Sequence, residues 1–77
     1  MKIEVFGTGC AKCKKLFDNA QEAVKLLHID AEIVKVEDIQ KITDAGVIIT
    51  PALAVDGEVK SAGKVLSVEE VKKYLTT

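Results

Sequence analysis

The sequence predicts a three-layer α/β/α sandwich in which helices cover both faces of a four-stranded mixed sheet. Three observations support that prediction: strand and helix signals in the order βαβαββα, one long helical period near the N-terminus, and a tight-hairpin dipeptide before the fourth strand. The chain has 77 residues, of which 48% are hydrophobic. We therefore expect a single domain over residues 1–77 that folds mainly on its hydrophobic core.

The first half of the chain contains a strand, a long helix and a second strand. Residues 2–6 form a short apolar run that ends in a glycine-rich turn at residues 7–9, which is typical of a strand. Residues 31–36 alternate as a second strand does. Between them, apolar residues recur at steps of three and four positions, which predicts a helix that ends near His28. These apolar residues are Cys13, Leu16, Phe17, Ala20, Ala23, Val24 and Leu27.

A short helix and a third strand follow. Asp38 can cap a short helix that carries Ile39, Ile42 and Ala45, and Gly46 can end it. Residues 51–55 are apolar without alternation, which is typical of a strand that is covered on both faces. The first two strands need a parallel pairing with a right-handed crossover through the long helix. Helices on both faces of the sheet therefore account for the whole pattern.

A hairpin and a last helix complete the chain. Asp56-Gly57 is a strong signal for a tight turn, so residues 58–62 should return antiparallel to the third strand. Ser67 and Glu70 fit a capping box at the start of a helix. The inward residues of that helix are expected to be Val68, Val71, Tyr74 and Leu75. The sheet is therefore expected to combine a parallel pair with an antiparallel hairpin.

Composition excludes several classes of function. Lys+Arg is 11 and Asp+Glu is 12, which leaves no basic surface for nucleic-acid phosphates. No apolar run approaches the roughly 20 residues that span a bilayer. The N-terminus carries an acid at position 4 and no apolar stretch like that of a signal peptide. We expect a cytoplasmic monomer that binds neither nucleic acid nor membrane.

Two cysteines lie where the first strand turns into the long helix, in the segment Cys10-Ala11-Lys12-Cys13. Cys10 is at or near the helix N-cap, where unpaired N–H groups and the positive end of the helix dipole lower the pKa of a thiol. Cys13 lies one turn later at the head of the apolar stripe, so it should be more buried and less acidic. We predict that Cys10 attacks a disulfide and that Cys13 resolves the mixed disulfide.

The residues around the pair fit the same interpretation. Gly7 and Gly9 allow the backbone to turn tightly beside the attacking sulfur, and Lys12 adds positive charge to the first turn. A purely structural disulfide is disfavoured, because a four-residue loop constrains the unfolded chain by only about 2 kcal/mol. The sequence therefore favours a redox-active disulfide between Cys10 and Cys13, with no other cofactor and no metal.

These features together resemble the thioredoxin fold, and most closely the small, glutaredoxin-sized "redox-active disulfide protein" family of archaea and bacteria. The resemblance covers essentially the whole chain. It implies a dithiol–disulfide oxidoreductase that acts in electron transport, with a protein disulfide as substrate and a reductase as second partner. The matching segments are Met1-Lys2-Ile3-Glu4-Val5 and Gly7-Thr8-Gly9-Cys10-Ala11-Lys12-Cys13, then Thr50-Pro51-Ala52-Leu53, Val55-Asp56-Gly57 and Ser61-Ala62-Gly63.

The resemblance also implies a substrate-binding site. It implies that Thr50-Pro51 is a cis peptide bond packed beside the cysteines, and that the backbone of Thr50 holds an extended substrate segment across Cys10. The candidate supporting residues are Gly9, Ala11, Lys12 and Gly63.

The chain also departs from the family pattern. No Trp precedes Cys10, neither Pro nor Tyr lies between the cysteines, and arginine is absent. No Gly-Gly-Asp cluster follows the hairpin to hold glutathione. No acidic residue lies plainly in an apolar strand near the pair, so the buried general acid/base of thioredoxins has no clear counterpart.

Two other classes of function remain open at the level of sequence. A soft-metal module of the copper-transfer type also places Cys-x-x-Cys at a strand-to-helix turn. Such modules have Met where this chain has Thr8, and they end on a strand in the order βαββαβ. Structural zinc normally needs four ligands, and only His28 is spare, at the far end of the helix. A redox-inert binding module would use the exposed face around Thr8, Ala11 and Pro51.

Overall fold

A computed structural model describes residues 1–76 and has the seven elements in the predicted order βαβαββα. Thr77, the last residue of the expected domain, lies outside the described residues. The bounds are β1 (Lys2–Phe6), α1 (Ala11–Leu27), β2 (Glu32–Val36), α2 (Ile39–Asp44), β3 (Ala52–Val55), β4 (Glu58–Ala62) and α3 (Val68–Leu75).

The four strands form one mixed sheet with the order β2-β1-β3-β4. The central strand β1 runs parallel to β2, with Phe6 beside Val36, and antiparallel to β3, with Phe6 beside Ala52. Strands β3 and β4 pair antiparallel, so that Ala52 lies beside Ala62, with a register shift between Leu53 and Ala54. This register brings the chain just after β1, just before β3 and just after β4 to one end of the sheet.

Helices cover both faces of the sheet, which confirms the three-layer prediction. Helices α1 and α3 pack on the face that carries Ile3 and Val5, whereas α2 packs on the opposite face. Strand β3 contributes to both cores, because Leu53 belongs to the first cluster and Ala52 and Ala54 belong to the second. The apolar run without alternation is thus a strand buried on both sides.

Capping residues determine where the helices begin and end. Helix α1 begins at Ala11, because Cys10 has the extended backbone of an N-cap, and it ends at Leu27, because the C-cap residue His28 has a left-handed φ of 53°. Ser67 and Glu70 form the predicted capping box at the start of α3. Within residues 1–76, no helix is both long and apolar enough to cross a membrane.

Two strands begin one residue later than the sequence pattern suggests. Strand β2 begins at Glu32, whose N–H donates to the carbonyl oxygen of Met1 at 3.0 Å and so makes the first bond of the ladder. Strand β3 begins at Ala52, because Pro51 has no N–H to offer a neighbouring strand. The Asp56-Gly57 turn has φ angles of 50° and 85°, as a two-residue hairpin loop requires.

Candidate active site

The Cys10 side chain caps helix α1. Its sulfur accepts a hydrogen bond from the Cys13 N–H at 3.3 Å, and its carbonyl oxygen accepts one from the Lys14 N–H at 3.0 Å. The first turn of α1 contains no acidic residue that would compete for these N–H groups. Cys10 is exposed, so its sulfur combines a helix N-terminus with access to solvent.

The pKa values of the two thiols are shifted in opposite directions. Hydrogen bonds from the side chain and the backbone N–H of Cys13 lower the pKa of the Cys10 thiol, with a smaller effect from the backbone of Lys12. Burial raises the pKa of the Cys13 thiol, and its hydrogen bond to Cys10 raises it further. Both shifts favour a thiolate on Cys10 over one on Cys13.

The two glycines of the turn have different conformations. Gly9 has a φ of 86°, which is the left-handed backbone expected of a tight turn. Gly7 has no positive φ, and its N–H donates to the carbonyl oxygen of Val36 at 3.0 Å as a continuation of the sheet. The expected turn role therefore fits Gly9, whereas Gly7 lies buried against the side chain of Cys13.

The loop before β3 lies at the same end of the sheet as the cysteines. The Thr50-Pro51 peptide bond is cis, Thr50 is half-buried and Pro51 is buried. The carbonyl oxygen of Pro51 accepts a hydrogen bond from the Gly63 N–H at 2.8 Å. Gly63 has a φ of 77°, and a methyl carbon of Ile49 lies over it, 2.8 Å from where a Cβ atom would be.

Two apolar side chains beside this loop are open to solvent. Ile48 is 94% exposed and Ile49 is 61% exposed. Both lie immediately before Thr50, at the end of the sheet from which Cys10 also projects. Ala11, Lys12 and Gly9 are exposed as well. The structure therefore brings the predicted site residues to one end of the molecule, with an apolar margin that the sequence analysis did not identify.

An open cleft of about 240 Å³ lies beside the buried cysteine. Its lining includes Gly7, Cys13, Lys35 and Glu37. The ammonium group of Lys35 lies 4.5 Å from the centre of the Phe17 ring. Neither Lys35 nor Glu37 is among the site residues predicted from the sequence. Their position at the carboxyl end of β2 could have indicated them, because β2 runs parallel to β1 and therefore ends at the same edge of the sheet.

Glu37 supplies the carboxylate nearest to the turn, but it differs from a buried acid. It is exposed, it follows β2 instead of lying within a strand, and one of its oxygens is 3.0 Å from where a Cβ atom of Gly9 would be. A larger groove of about 550 Å³ lies on the face covered by α2, and neither cysteine lines it. Of the two cysteines, Cys13 lines the smaller cleft and Cys10 lies exposed outside it.

Metal ligands are sparse around the pair. Within the described chain, residues 1–76, no three His, Cys, Asp or Glu side chains are grouped closely enough to hold a metal ion. His28 caps the far end of α1, about 25 Å from the cysteines for a helix of 17 residues. A metal ion bound at this place would therefore have the two cysteine sulfurs as ligands and no histidine.

Together, the capping cysteine, its buried neighbour one turn later and the mixed four-stranded sheet define a class of proteins, the dithiol–disulfide oxidoreductases. A family model described as a thioredoxin domain matches residues 1–76. The chain belongs to the thioredoxin family. Cys10 and Cys13 are its CxxC pair, and the protein is a thiol–disulfide oxidoreductase.

Two archaeal relatives are similar over almost the whole chain. A protein named thioredoxin from Methanothermobacter thermautotrophicus is 54% identical over 76 residues, which cover 99% of both chains. A protein named thioredoxin from Methanocaldococcus jannaschii is 48% identical over 73 residues, which cover 95% of this chain and 84% of that one. The resemblance that the sequence analysis drew from the motifs is therefore confirmed.

Proposed function

We propose that the protein reduces protein disulfides by a two-step exchange in which Cys10 attacks and Cys13 resolves. The observation that supports this assignment is the asymmetry of the pair. Cys10 is exposed and accepts a hydrogen bond from the Cys13 N–H, whereas Cys13 is only 5% exposed. A substrate sulfur can reach the first thiol from solvent, whereas the buried second thiol lies one helical turn away, where it can attack the Cys10 sulfur of a mixed disulfide.

The two steps balance in electrons and protons. The Cys10 thiolate attacks one sulfur of the substrate disulfide, a mixed disulfide forms, and the other substrate sulfur leaves as a thiolate that takes up a proton. Cys13 loses its proton and attacks the Cys10 sulfur, which breaks the bond to the substrate and releases its second thiol. The substrate gains two electrons and two protons, and Cys10 and Cys13 become a disulfide.

A further part of the proposal concerns substrate binding. The backbone of Thr50 would pair with an extended segment of the substrate, beside Pro51 and Gly63, and so hold its disulfide over Cys10. The exposed apolar side chains of Ile48 and Ile49 support this placement, because they border the same loop. The exposed residues Gly9, Ala11 and Lys12 would contact the substrate around the attacking sulfur.

The cycle requires a second partner. A reductase, or another dithiol donor, must return two electrons to the disulfide before the next turnover. The pair itself carries the electrons, so the proposal includes no other cofactor. A single domain over residues 1–77, a monomeric state and a cytoplasmic location stay predictions.

The test uses matched cysteine variants and a protein disulfide substrate such as insulin. Cys13→Ser should accumulate a mixed disulfide through Cys10, visible by mass spectrometry under non-reducing conditions, because the resolving thiol is gone. Cys10→Ser should form no such adduct, since the remaining thiol is buried. Adducts that form through Cys13 instead would reverse the assigned roles. A wild-type pair that binds Cu(I) tightly and never oxidises reversibly would favour the metal module.

A further inference from the structure

The buried sulfur of Cys13 packs against Gly7. A Cβ atom built on Gly7 would overlap the Sγ atom of Cys13 and lie 2.7 Å from its Cβ atom, which is closer than real Cβ atoms approach. Both residues are buried, so neither has solvent into which it can move freely. The Cys13 sulfur therefore occupies the volume that any side chain at position 7 would need.

The backbone supplies no other reason for a glycine at this position. The other four glycines all have positive φ angles, between 77° and 86°, and they are Gly9, Gly46, Gly57 and Gly63. Gly7 is not among them, and its N–H extends the pairing of β1 with β2. An alanine could adopt this conformation without backbone strain. Space for the side chain of Cys13, above all its sulfur, is thus the requirement that remains.

The contact between Gly7 and the sulfur changes during the exchange reaction. Both cysteines are free thiols in this structure, and the sulfur of Cys13 lies against Gly7 in that state. To form the disulfide, the same sulfur must come within about 2.05 Å of the Cys10 sulfur. A Cys13 sulfur that makes this movement leaves its contact with Gly7. The close contact therefore belongs to the dithiol form more than to the disulfide form.

We propose that Gly7 is a positioning residue that favours the dithiol form, because it gives the Cys13 thiol a space into which it withdraws behind Cys10. The proposal rests on the exchange between Cys10 and Cys13 proposed above. It assigns to Gly7 a part in setting the redox equilibrium of the pair, separate from the chemistry of either sulfur. A methyl group at position 7 would crowd the Cβ atom of Cys13 in both forms and, in the dithiol form, the withdrawn sulfur as well, so the disulfide would be less affected.

The equilibrium can be measured with Gly7→Ala and a small dithiol. The protein is equilibrated with reduced and oxidised dithiothreitol at set ratios, free thiols are alkylated, and the two forms are counted by mass spectrometry. In this reaction the pair takes two electrons and two protons from dithiothreitol, whose own sulfurs form a disulfide. We expect Gly7→Ala to shift the equilibrium towards the protein disulfide by about fivefold or more. A fivefold shift is about 20 mV for a two-electron couple.

Two control variants separate this effect from ordinary packing. Ile3→Val shortens a fully buried side chain on β1, the strand that precedes Gly7, and should lower the stability of both redox forms while leaving their equilibrium unchanged. Introducing Gly7→Ala into a Cys13→Ala background tests the contact without redox chemistry. There the loss of stability caused by Gly7→Ala should shrink, because the sulfur that it crowds is absent.

Each outcome bears on one proposal. The role of Gly7 would be overturned by an unchanged equilibrium, by a shift towards the dithiol, or by a Gly7→Ala variant that fails to fold in both redox forms. A variant that folds only as the disulfide would support it. A wild-type pair that does not exchange with dithiothreitol would instead overturn the proposed function, and the Cys13→Ala background would still report on the contact itself.

Discussion

Helices α1 and α3 begin with nearly the same backbone geometry, but the capping side chains have different roles. Cys10 has φ and ψ of -70° and 165°, and Ser67 has -72° and 165°. Each side chain accepts a hydrogen bond from the N–H three residues later, at 3.3 Å from Cys13 and at 3.2 Å from Glu70. The same capping position holds a reactive thiol in one helix and a hydroxyl in the other.

The difference lies in what else reaches the helix start. At α3, the Glu70 carboxylate accepts a hydrogen bond from the Ser67 N–H at 3.1 Å and pairs with Lys64 at 2.7 Å. At α1, no acid occupies the first turn, and Cys10 stays exposed. A helix N-terminus that is satisfied by its own carboxylate contributes stability. A helix N-terminus that is capped only by a sulfur keeps a positive electrostatic potential that stabilises a thiolate.

The largest effect should come from making the first cap resemble the second. Cys10→Ser keeps a good capping side chain but removes the nucleophile. We expect insulin reduction to fall to the uncatalysed background, while the free energy of unfolding of the reduced protein changes by no more than about 1 kcal/mol. Both are measured on the same preparation, by turbidity and by thermal unfolding. Residual turnover above background would mean that Cys13 can attack substrate directly.

The next effect concerns the acidity of the capping thiol. The hydrogen bond from the Cys13 side chain is the leading cause of the lowered pKa of Cys10, so Cys13→Ala should raise that pKa. The rate at which iodoacetamide alkylates Cys10 would then reach half its maximum at a higher pH than in Cys13→Ser, where a hydroxyl donor remains. Identical pH profiles for the two variants would show that the backbone N–H groups alone determine the acidity.

Removing the second cap should affect stability alone. Ser67→Ala is expected to lower the free energy of unfolding by about 1 kcal/mol, because the N–H of Glu70 loses its acceptor. In a domain of this size that corresponds to a fall in Tm of roughly 4–8 °C. Insulin reduction below the unfolding transition should stay at the wild-type rate. A slower reaction at unchanged fold would mean that the two helix starts are coupled.

The smallest effect is a pH dependence at the same cap. Hydrogen bonding to Lys64 lowers the pKa of Glu70 from 4.5 to about 2, so the carboxylate contributes stability at neutral pH. That contribution is fully present above about pH 4.5 and is lost as the pH falls through about 2. The difference in Tm between wild type and Glu70→Gln should therefore narrow over this range. A constant difference would assign the effect to packing.

Features that depend on neighbours along the chain could be predicted from sequence. The order of the elements, the caps at Cys10 and Ser67, and the hairpin at Asp56 follow from residues within about one turn of each other, and the structure has them all. The helical stripe headed by Cys13 likewise predicted which of the two cysteines is buried.

Features that depend on strand register could not be predicted in the same way. The glycine-rich segment predicts a turn at Gly7, and nothing in the sequence indicates that the side chain of Cys13 will lie over it. Only the packing of α1 against the end of β1 places the Cys13 sulfur there. Lys35 reaches the cleft from β2, for the same reason.

The sequence by itself therefore determined the fold class, the element order and the identity of the redox pair, because local periodicity, capping and turn chemistry carry that information. The tertiary structure decided which residues surround the two sulfurs. Gly7 packs against Cys13, Glu37 lines the cleft and Ile49 contacts Gly63, because the pairing of the four strands brings distant parts of the chain to one end of the sheet.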